Sequence, residues 1–331
     1  MSLKNLGIAV AGCLLAATGG AGAWIALATP KSRPAPDIRV ASTPERIARG
    51  QYLFHHVADC AGCHSPRDAS KFSMVPVPGK TGSGFVFPAE LGFPGRIVGA
   101  NITPDVETGI GGWTDGEKIR AIREGISRDG RALFAFMPFK QFARFSDEDI
   151  FSLVAYLNSL PPVKNALPKT ELQFPVSVFS RFEPAPVLEP PHPPSPSDRV
   201  RYGEFLAGVA GCLECHSELK NGKPLPGKEF AGGHEFAIGR FVVRSANLTP
   251  DDDSGIGKWS EERFVRRFRD YGSLTYESAP RAVQENFTVM PWFGYAQMKE
   301  EDLRAIYAFL RTLEPVYNPV VMHPQLAMQS N

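Results

Sequence analysis

A five-residue motif that occurs twice constrains this chain more than any other feature. Residues 60–64 read Cys-Ala-Gly-Cys-His and residues 212–216 read Cys-Leu-Glu-Cys-His, so both have the pattern C-x-x-C-H. In such a pattern two thiols at positions i and i+3 lie on the same side of one helical turn. The histidine that follows directly is held beside them. Any fold for this chain must therefore present two equivalent groups of two thiols and one imidazole.

The two motifs belong to a longer internal repeat. Matched positions are separated by 146 to 153 residues, and three further stretches recur: Asn-Ile-Thr-Pro (101–104) with Asn-Leu-Thr-Pro (247–250), Gly-Ile-Gly (109–111) with Gly-Ile-Gly (255–257), and Met-Pro (137–138) with Met-Pro (290–291). Trp113 and Trp259 also correspond. Repetition over most of the chain predicts two copies of one domain, at residues 42–163 and 197–318.

The segments outside the repeat have distinct compositions. Residues 161–196 contain 11 prolines, which favour an extended, semi-rigid linker at 164–196. Phe174, Val176, Val178 and Phe179 within this linker predict that part of it packs on a domain. Residues 319–331 form a short tail, and residues 1–30 form an N-terminal segment that is uncharged from Leu6 to Thr29.

Hydrophobic periodicity predicts helices at matching places in both copies. After Ser146 the apolar residues follow the i, i+3, i+4, i+7 spacing of one helix face, and a second set repeats it: Ile150, Leu153, Val154 and Leu157, then Leu303, Ile306, Tyr307 and Leu310. Thr114 and Glu117 have the spacing of a capping box. Alternating strand patterns are nearly absent. We therefore predict an all-α fold with two tandem domains and long Gly/Pro loops.

C-x-x-C-H is the pattern of covalent c-type haem attachment. The two thiols can bond the two vinyl groups of a haem, and the adjacent imidazole is then directed at the iron. This interpretation predicts two haem c groups. Their thioether residues are Cys60, Cys63, Cys212 and Cys215, and their proximal iron ligands are His64 and His216.

Two alternatives for the paired cysteines are weaker. Structural zinc also uses C-x-x-C pairs, but a whole domain and a proline linker separate Cys63 from Cys212, and zinc does not explain the histidine after each pair. A thioredoxin-like redox motif requires a surrounding βαβ pattern, which neither pair has.

A sixth iron ligand is predicted at the repeated Met-Pro sequence. Met137 follows His64 by 73 residues and Met290 follows His216 by 74. A thioether is a soft neutral ligand that raises the iron potential and completes its coordination. The competing candidates are Met74 and Met298, which have no partner in the repeat, and His234, which has no histidine counterpart in the first copy.

The N-terminal segment predicts export. No charged residue occurs from Leu6 to Thr29, which as a helix would measure about 36 Å, enough for a hydrocarbon core of about 30 Å. We expect a transmembrane or signal helix that anchors the domains to the inner membrane, facing the periplasm. The alternatives are a signal peptide cleaved near residues 26–28, which would leave a soluble periplasmic protein, and a lipoprotein signal ending at Cys13.

Taken together, these motifs resemble the di-haem cytochromes c of bacteria over about residues 44–317. The Asn-Ile/Leu-Thr-Pro-Asp, Gly-Ile-Gly and Trp stretch is similar to the cytochrome subunits of membrane-bound alcohol, gluconate and aldehyde dehydrogenases. The resemblance implies class I cytochrome c domains and transfer of electrons from a dehydrogenase to quinone, a soluble cytochrome or a terminal oxidase. A free-standing di-haem carrier is the alternative within this family.

An electron carrier that is not itself an enzyme is thus the expected function. With histidine and methionine on both irons, no coordination position is open to substrate. The other function considered is a di-haem redox enzyme of the peroxidase or thiosulfate-oxidising type, which would need one iron with a labile ligand. A net charge of +1 gives no basic excess for binding nucleic acid.

Overall fold

The computed structural model describes residues 29–189 and 191–324. We refer to residues 42–163 as the first half and to residues 197–318 as the second half. The first half contains helices α1 (Pro44–Tyr52, continued by a π-helical turn, Leu53–Val57), α2 (Cys60–His64), α3 (Asp115–Glu124), α4 (Phe139–Phe142) and α5 (Asp147–Ser159). Helix α6 (Val176–Phe179) lies between the halves. The second half repeats the order with α7 (Arg199–Val209), α8 (Cys212–Cys215), α9 (Glu261–Arg269), α10 (Trp292–Tyr295) and α11 (Glu300–Leu310).

Side-chain caps begin the main helices where the sequence predicts them. The hydroxyl of Thr114 accepts a hydrogen bond from the backbone N–H of Glu117, and the carboxylate of Glu117 accepts one from the backbone N–H of Thr114, which confirms the capping box of α3. Ser146 accepts from the backbone N–H of Asp149 at the start of α5. The predicted apolar face of α5 is buried, as is that of α11 except for the half-buried Tyr307.

The prediction of an all-α fold is wrong. The described residues also contain eight short strands, which pair as four antiparallel two-stranded sheets. In chain order they are β1 (Phe85–Val86), β2 (Gly95–Arg96), β3 (Val98–Gly99), β4 (Glu171–Leu172), β5 (Leu219–Lys220), β6 (Lys223–Pro224), β7 (Glu235–Ile238) and β8 (Phe241–Arg244). The pairs are β1 with β3, β2 with β4, β5 with β6, and β7 with β8.

These strands have two to four residues each, too few to produce a visible alternation of apolar and polar side chains. The longest pair, β7 and β8, is a hairpin whose turn contains Gly239 at a φ of +57°. Its apolar side chains, Ile238, Phe241 and Val243, are buried against Phe287. Loops rich in glycine and proline thus satisfy part of their backbone hydrogen bonding as small sheets.

The sequence also predicts an N-terminal transmembrane or signal helix at residues 1–30. Residues 1–28 lie outside the described residues. Within the described part of the chain, no helix combines the length and apolar character needed to cross a membrane.

In each half the first long helix packs closely on the last, at a glycine. Helix α1 crosses α5 at Gly50, where an added Cβ would lie 1.9 Å from the carbonyl oxygen of Ser152. Helix α7 crosses α11 at Gly203, where it would lie 1.9 Å from the carbonyl oxygen of Ala305. Only glycine allows the two backbones to approach this closely, so the same contact sets the helix crossing in both halves.

The two halves share one continuous hydrophobic cluster, which contains buried residues of both. At the boundary the ring of Phe145 meets the ring of Phe205 edge to face, with 5.7 Å between centroids. The guanidinium of Arg144 lies over the same Phe205 ring at 5.5 Å. Because the cluster is shared, the positions of the two C-x-x-C-H motifs are fixed relative to each other.

The linker contacts the first half through strand pairing, and only two of its four predicted packing residues are half-buried. Strand β4 in the linker pairs with β2, with Leu172 opposite Gly95. Val176 and Val178 are half-buried, whereas Phe174 and Phe179 are exposed.

We expect substitution of Gly203 by alanine to lower the free energy of unfolding by about 1–3 kcal/mol, because the methyl group must displace the backbone of α11. Chemical denaturation followed by circular dichroism would measure the loss. Gly112→Ala is the matched control, since its Cβ would meet nothing closer than 3.4 Å. Equal stability of the two variants would contradict the close helix crossing.

Candidate functional site

Each C-x-x-C-H motif forms one short helix that begins after a residue in the left-handed region. Asp59 precedes α2 at a φ of +44°, and Gly211 precedes α8 at a φ of +68°. The carboxylate of Asp59 accepts a hydrogen bond of 3.2 Å from the backbone N–H of Gly62. The sharp turn separates the motif from the leading helix and places both thiols of a pair on one helical turn.

The two motif histidines make the same hydrogen bond. His64 Nδ1 lies 2.7 Å from the carbonyl oxygen of Ala100, and His216 Nδ1 lies 2.8 Å from that of Ala246. A carbonyl can only accept, so each Nδ1 carries the proton and each Nε2 keeps its lone pair for a metal. Burial lowers the pKa of both imidazoles, against an opposing effect of these hydrogen bonds, which favours the neutral form that binds iron.

A buried asparagine follows each of these carbonyls in the chain. The four hydrogen bonds that its side chain makes, which we call the asparagine frame, hold the carbonyl in place. Asn101 directly follows Ala100; its Oδ1 accepts hydrogen bonds from the backbone N–H and the hydroxyl of Thr103, at 3.0 and 2.7 Å. Its Nδ2 donates to the carbonyl oxygen of Val163 at 2.8 Å and to the hydroxyl of Thr108 at 3.1 Å.

The second half repeats this frame bond for bond. Asn247 accepts from Thr249 and donates to the carbonyl oxygen of Val316 at 2.8 Å and to Ser254 at 3.1 Å. An added Cβ at Gly255 would lie 2.2 Å from the carbonyl oxygen of Thr249. The repeated Asn-x-Thr-Pro and Gly-Ile-Gly sequences therefore hold the carbonyl that orients the histidine.

The four cysteines of the motifs are free thiols, half-buried at Cys60, Cys63 and Cys212 and exposed at Cys215. Burial raises the pKa of Cys63 and of Cys212 to about 12, and it raises the pKa of Cys60 further. Among the described residues no group of three or more His, Cys, Asp or Glu side chains could hold a metal ion.

Met137 and Met290 occupy equivalent places, directly before α4 and α10. Both are half-buried and pack against the shared hydrophobic cluster, as do Cys60 and Cys212. In both loops the carbonyl oxygen of the methionine accepts a 2.8 Å hydrogen bond from the N–H two residues later, of Phe139 or of Trp292. The assignment of these methionines as iron ligands stays a prediction.

The structure gives the competing candidates other surroundings. Met74 is buried in the second hydrophobic cluster beside the β7–β8 hairpin, and Met298 is buried in the shared cluster. The ring of His234 packs edge to face on Phe236, with 4.6 Å between centroids. His55 Nε2 lies 2.7 Å from the hydroxyl of Tyr156.

The two C-x-x-C-H motifs adjoin each other across the boundary between the halves. A thiolate at Cys215 is close enough to raise the pKa of Cys63, after the larger effects of burial and of Asp59. Tyr295 of α10 is buried near both motifs; its pKa is raised well above the ordinary value by burial and then by Asp59 and three of the thiols. Its hydroxyl donates a 2.5 Å hydrogen bond to the carbonyl oxygen of Ala210.

Several residues at this boundary, including Asp59, Arg67 and Ser73, were not predicted from the sequence. Arg67 Nε donates to the carbonyl oxygen of Met74 at 2.8 Å, and Ser73 contacts the loop of Met290. None of the three has a counterpart in the repeat, so comparison of the two copies gave no signal for them.

The residues present fit covalently bound haem. Each motif offers two free thiols and an imidazole whose Nε2 is free by its hydrogen-bond pattern. Cys60 and Met137 pack against the same cluster, as do Cys212 and Met290.

Comparison with known proteins supports the resemblance to cytochromes c. Residues 47–161 match the Cytochrome c family. The chain is 29% identical over 281 residues to the cytochrome c subunit of alcohol dehydrogenase (quinone) from Gluconobacter oxydans, covering 82% of this chain and 55% of that protein. It is 27% identical over 279 residues to the gluconate 2-dehydrogenase cytochrome c subunit of Pantoea cypripedii, covering 81% and 59%.

A relative of similar length is the diheme cytochrome c-type protein of Cereibacter sphaeroides. The two are 29% identical over 314 residues, which cover 92% of this chain and 96% of the relative. By contrast, the chain spans only somewhat more than half of the two dehydrogenase subunits. The resemblance stated from the motifs is confirmed by these matches.

We expect the potential of the group bound at Cys60 and Cys63 to fall as pH rises through about 6. Burial raises the pKa of Asp59 to about 6, against smaller opposing effects of Arg67 and the Gly62 N–H. Above that pH the carboxylate is negative and stabilises the oxidised, more positive iron. The slope cannot exceed about 60 mV per pH unit for one proton and one electron.

Redox titrations between pH 4.5 and 8 would measure this dependence. Asp59→Asn is the control, because it cannot ionise and should flatten the curve near pH 6. A wild-type curve that remains flat over the same range would exclude Asp59 as the titrating group.

Proposed function

We propose that this chain, which carries a cytochrome c domain at residues 47–161, relays electrons through two covalently bound haem c groups. Its homologues support electron transfer as the general function. The proposal adds the number of haems, the ligands and the direction. The observation that carries it is the duplicated site, in which each pair of thiols is followed by a histidine with Nδ1 hydrogen-bonded to a carbonyl.

The proposed ligands are His64 and Met137 on the first iron and His216 and Met290 on the second. Haem iron, when bound, exchanges one electron between its ferrous and ferric states. The protein's own residues hold and tune it: the thiols fix its position, the Ala100 and Ala246 carbonyls orient the imidazoles, and the thioethers close the last coordination position. With both positions filled, no site is left for a substrate.

The adjoining motifs support direct exchange between the two sites. Cys63 and Cys215 come from different halves, yet a thiolate at Cys215 is close enough to contribute to the raised pKa of Cys63. Tyr295 and apolar residues of the shared cluster pack at this boundary. Proximity of the two sites favours electron transfer between them without a mobile carrier.

For the partners, we propose a dehydrogenase as donor and a quinone, a soluble cytochrome or a terminal oxidase as acceptor. Two of the relatives described above are named as cytochrome c subunits of dehydrogenases. The named diheme cytochrome c-type relative supports a free-standing carrier instead. In both cases the chain by itself carries electrons and does not transform the substrate.

We propose the periplasm as the location of both haem sites. The covalent attachment pattern and the uncharged stretch from Leu6 to Thr29 support export. Residence at the inner membrane would bring the protein near quinone and oxidases; a soluble periplasmic protein is the alternative. Fractionation of cells with a periplasmic marker enzyme distinguishes the two locations.

We expect the reduced, purified protein to contain two c-type haems per chain and to show no spectral change with carbon monoxide. Carbon monoxide binds only an iron with an open or labile sixth position, and the thioethers of Met137 and Met290 would fill both. Absorption spectroscopy with a haem assay measures both properties. Met137→Ala and Met290→Ala should each make one haem reactive toward carbon monoxide, and Met298→Ala, a buried methionine outside the proposed sites, should make none reactive.

The contrary result has a clear meaning. A wild-type protein in which one haem binds carbon monoxide would contradict the pure relay. It would favour the di-haem enzyme of the peroxidase or thiosulfate-oxidising type, and turnover of peroxide and thiosulfate would then be assayed.

A further inference from the structure

The loop that follows the first C-x-x-C-H motif crosses into the second half. We call residues 65–76 the crossing loop. The backbone N–H of Phe72 donates to the carbonyl oxygen of Pro280, and the N–H of Ala282 donates to that of Ser70, both at 2.8 Å. The ring of Phe72 stacks on Tyr271 with 5.2 Å between centroids. The loop is therefore bound firmly to the second half.

The tip of the crossing loop contacts the loop of the second methionine ligand. Ser73 Oγ donates a 2.5 Å hydrogen bond to the carbonyl oxygen of Met290. Ser73 Oγ also accepts a 3.1 Å hydrogen bond from the backbone N–H of Trp292. One hydroxyl thus bridges the residues on either side of Pro291. Ser73 is only 2% exposed, so water does not compete for these bonds.

The backbone of Ser73 is held in an uncommon conformation to make these contacts. Ser73 and Met74 have φ values of +62° and +48°, in the left-handed region that non-glycine residues rarely adopt. Arg67 donates from Nη2 to the carbonyl oxygen of Ser73 at 3.1 Å and from Nε to that of Met74 at 2.8 Å. The side chain of Met74 is buried beside the β7–β8 hairpin. Contacts on both sides therefore fix the strained turn.

Arg67 also extends the contact back to the first motif. Its Nη1 lies 3.5 Å from the carbonyl oxygen of Gly62, within helix α2. A continuous series of hydrogen bonds runs from the first attachment helix through Arg67 and Ser73 to Met290.

The first half has no equivalent of this contact. The carbonyl oxygen of Met137 accepts from Phe139 N–H, and its own N–H donates to the carbonyl oxygen of Phe134. In the described ranges no hydrogen bond from the second half reaches Met137. The support from Ser73 is thus specific to the second methionine.

We propose that Ser73 is a positioning residue for Met290, through which the first half holds the axial ligand of the second haem. The inference rests on the proposed function, because it takes Met290 as that ligand. By fixing the peptide groups around Pro291, the hydroxyl limits the excursions of the methionine away from the iron. The thioether of Met290 then stays on its iron only while the two halves are packed together. The thioether of Met137 does not depend on that packing.

The test compares Ser73→Ala with wild type as the full-length, haem-loaded protein. We expect the methionine-to-iron charge-transfer band of the oxidised protein to weaken for the second haem only. We expect added imidazole to displace the methionine of the oxidised second haem with an affinity about fivefold higher than in wild type, the factor that corresponds to the net effect of one hydrogen bond. Its potential should fall while that of the first haem is unchanged. Met290→His identifies the second haem, because replacing a thioether by imidazole lowers its potential.

Two further variants separate the hydrogen bond from general destabilisation. Ser73→Gly also removes the hydroxyl but suits a positive φ, so it should weaken the second ligand as Ser73→Ala does without loss of folding stability. Ser83→Ala is the control, because Ser83 is fully buried and its hydroxyl has no hydrogen-bond partner. It should leave both haems unchanged.

The outcomes distinguish this inference from the proposed function. If wild type has two methionine-ligated haems and Ser73→Ala and Ser73→Gly leave both unchanged, the positioning role is wrong and the relay function stands. An equal change at both haems also overturns the role of Ser73. If Met290→His changes neither haem, Met290 is not a ligand and the proposed function itself fails.

Discussion

The hydrogen bond from each motif histidine to a backbone carbonyl is the contact on which both candidate sites depend. It places the proton on Nδ1 of His64 and His216 and leaves the lone pair of Nε2 free to bind a metal. A single such bond cannot orient a ring unless the acceptor is itself fixed. The buried asparagines that follow the two carbonyls provide this, since each makes four hydrogen bonds that join distant parts of its half. The chemistry of the site therefore rests on a polar network in an apolar core.

The helix crossings near these networks are nearly the same in both halves. The loops that contact the two candidate sites differ. The glycine crossings at Gly50 and Gly203 repeat, whereas the crossing loop has no counterpart. That loop follows the first motif and is bound to the second half at Pro280, Ala282 and Met290. The two candidate sites thus have the same internal hydrogen bonds but different supporting contacts. The two sites can therefore differ in their properties although their sequences repeat.

The shared hydrophobic cluster makes this arrangement a single unit. Phe145 and Phe205 meet at the boundary, and Tyr295 lies among thiols of both motifs. Because each half contributes to the surroundings of the other's site, the distance between the motifs does not depend on a flexible linker. The linker itself packs on the first half through β4, so it does not act as a free tether.

The sequence by itself determined the duplicated motif, the capping box at Thr114, the helix after Ser146 and the resemblance to cytochromes c. These are local or repeated patterns, in which residue identity and spacing carry the chemistry. It did not determine the small sheets, whose strands are too short to alternate visibly, and the all-α prediction failed there. The tertiary structure alone decided the roles of Asp59, Arg67 and Ser73. Arg67 binds backbone carbonyls, Ser73 binds a residue far away in the chain, and Asp59 has no counterpart in the repeat, so no pattern marks them. Ser73 reaches Met290 only because the two halves fold onto one core.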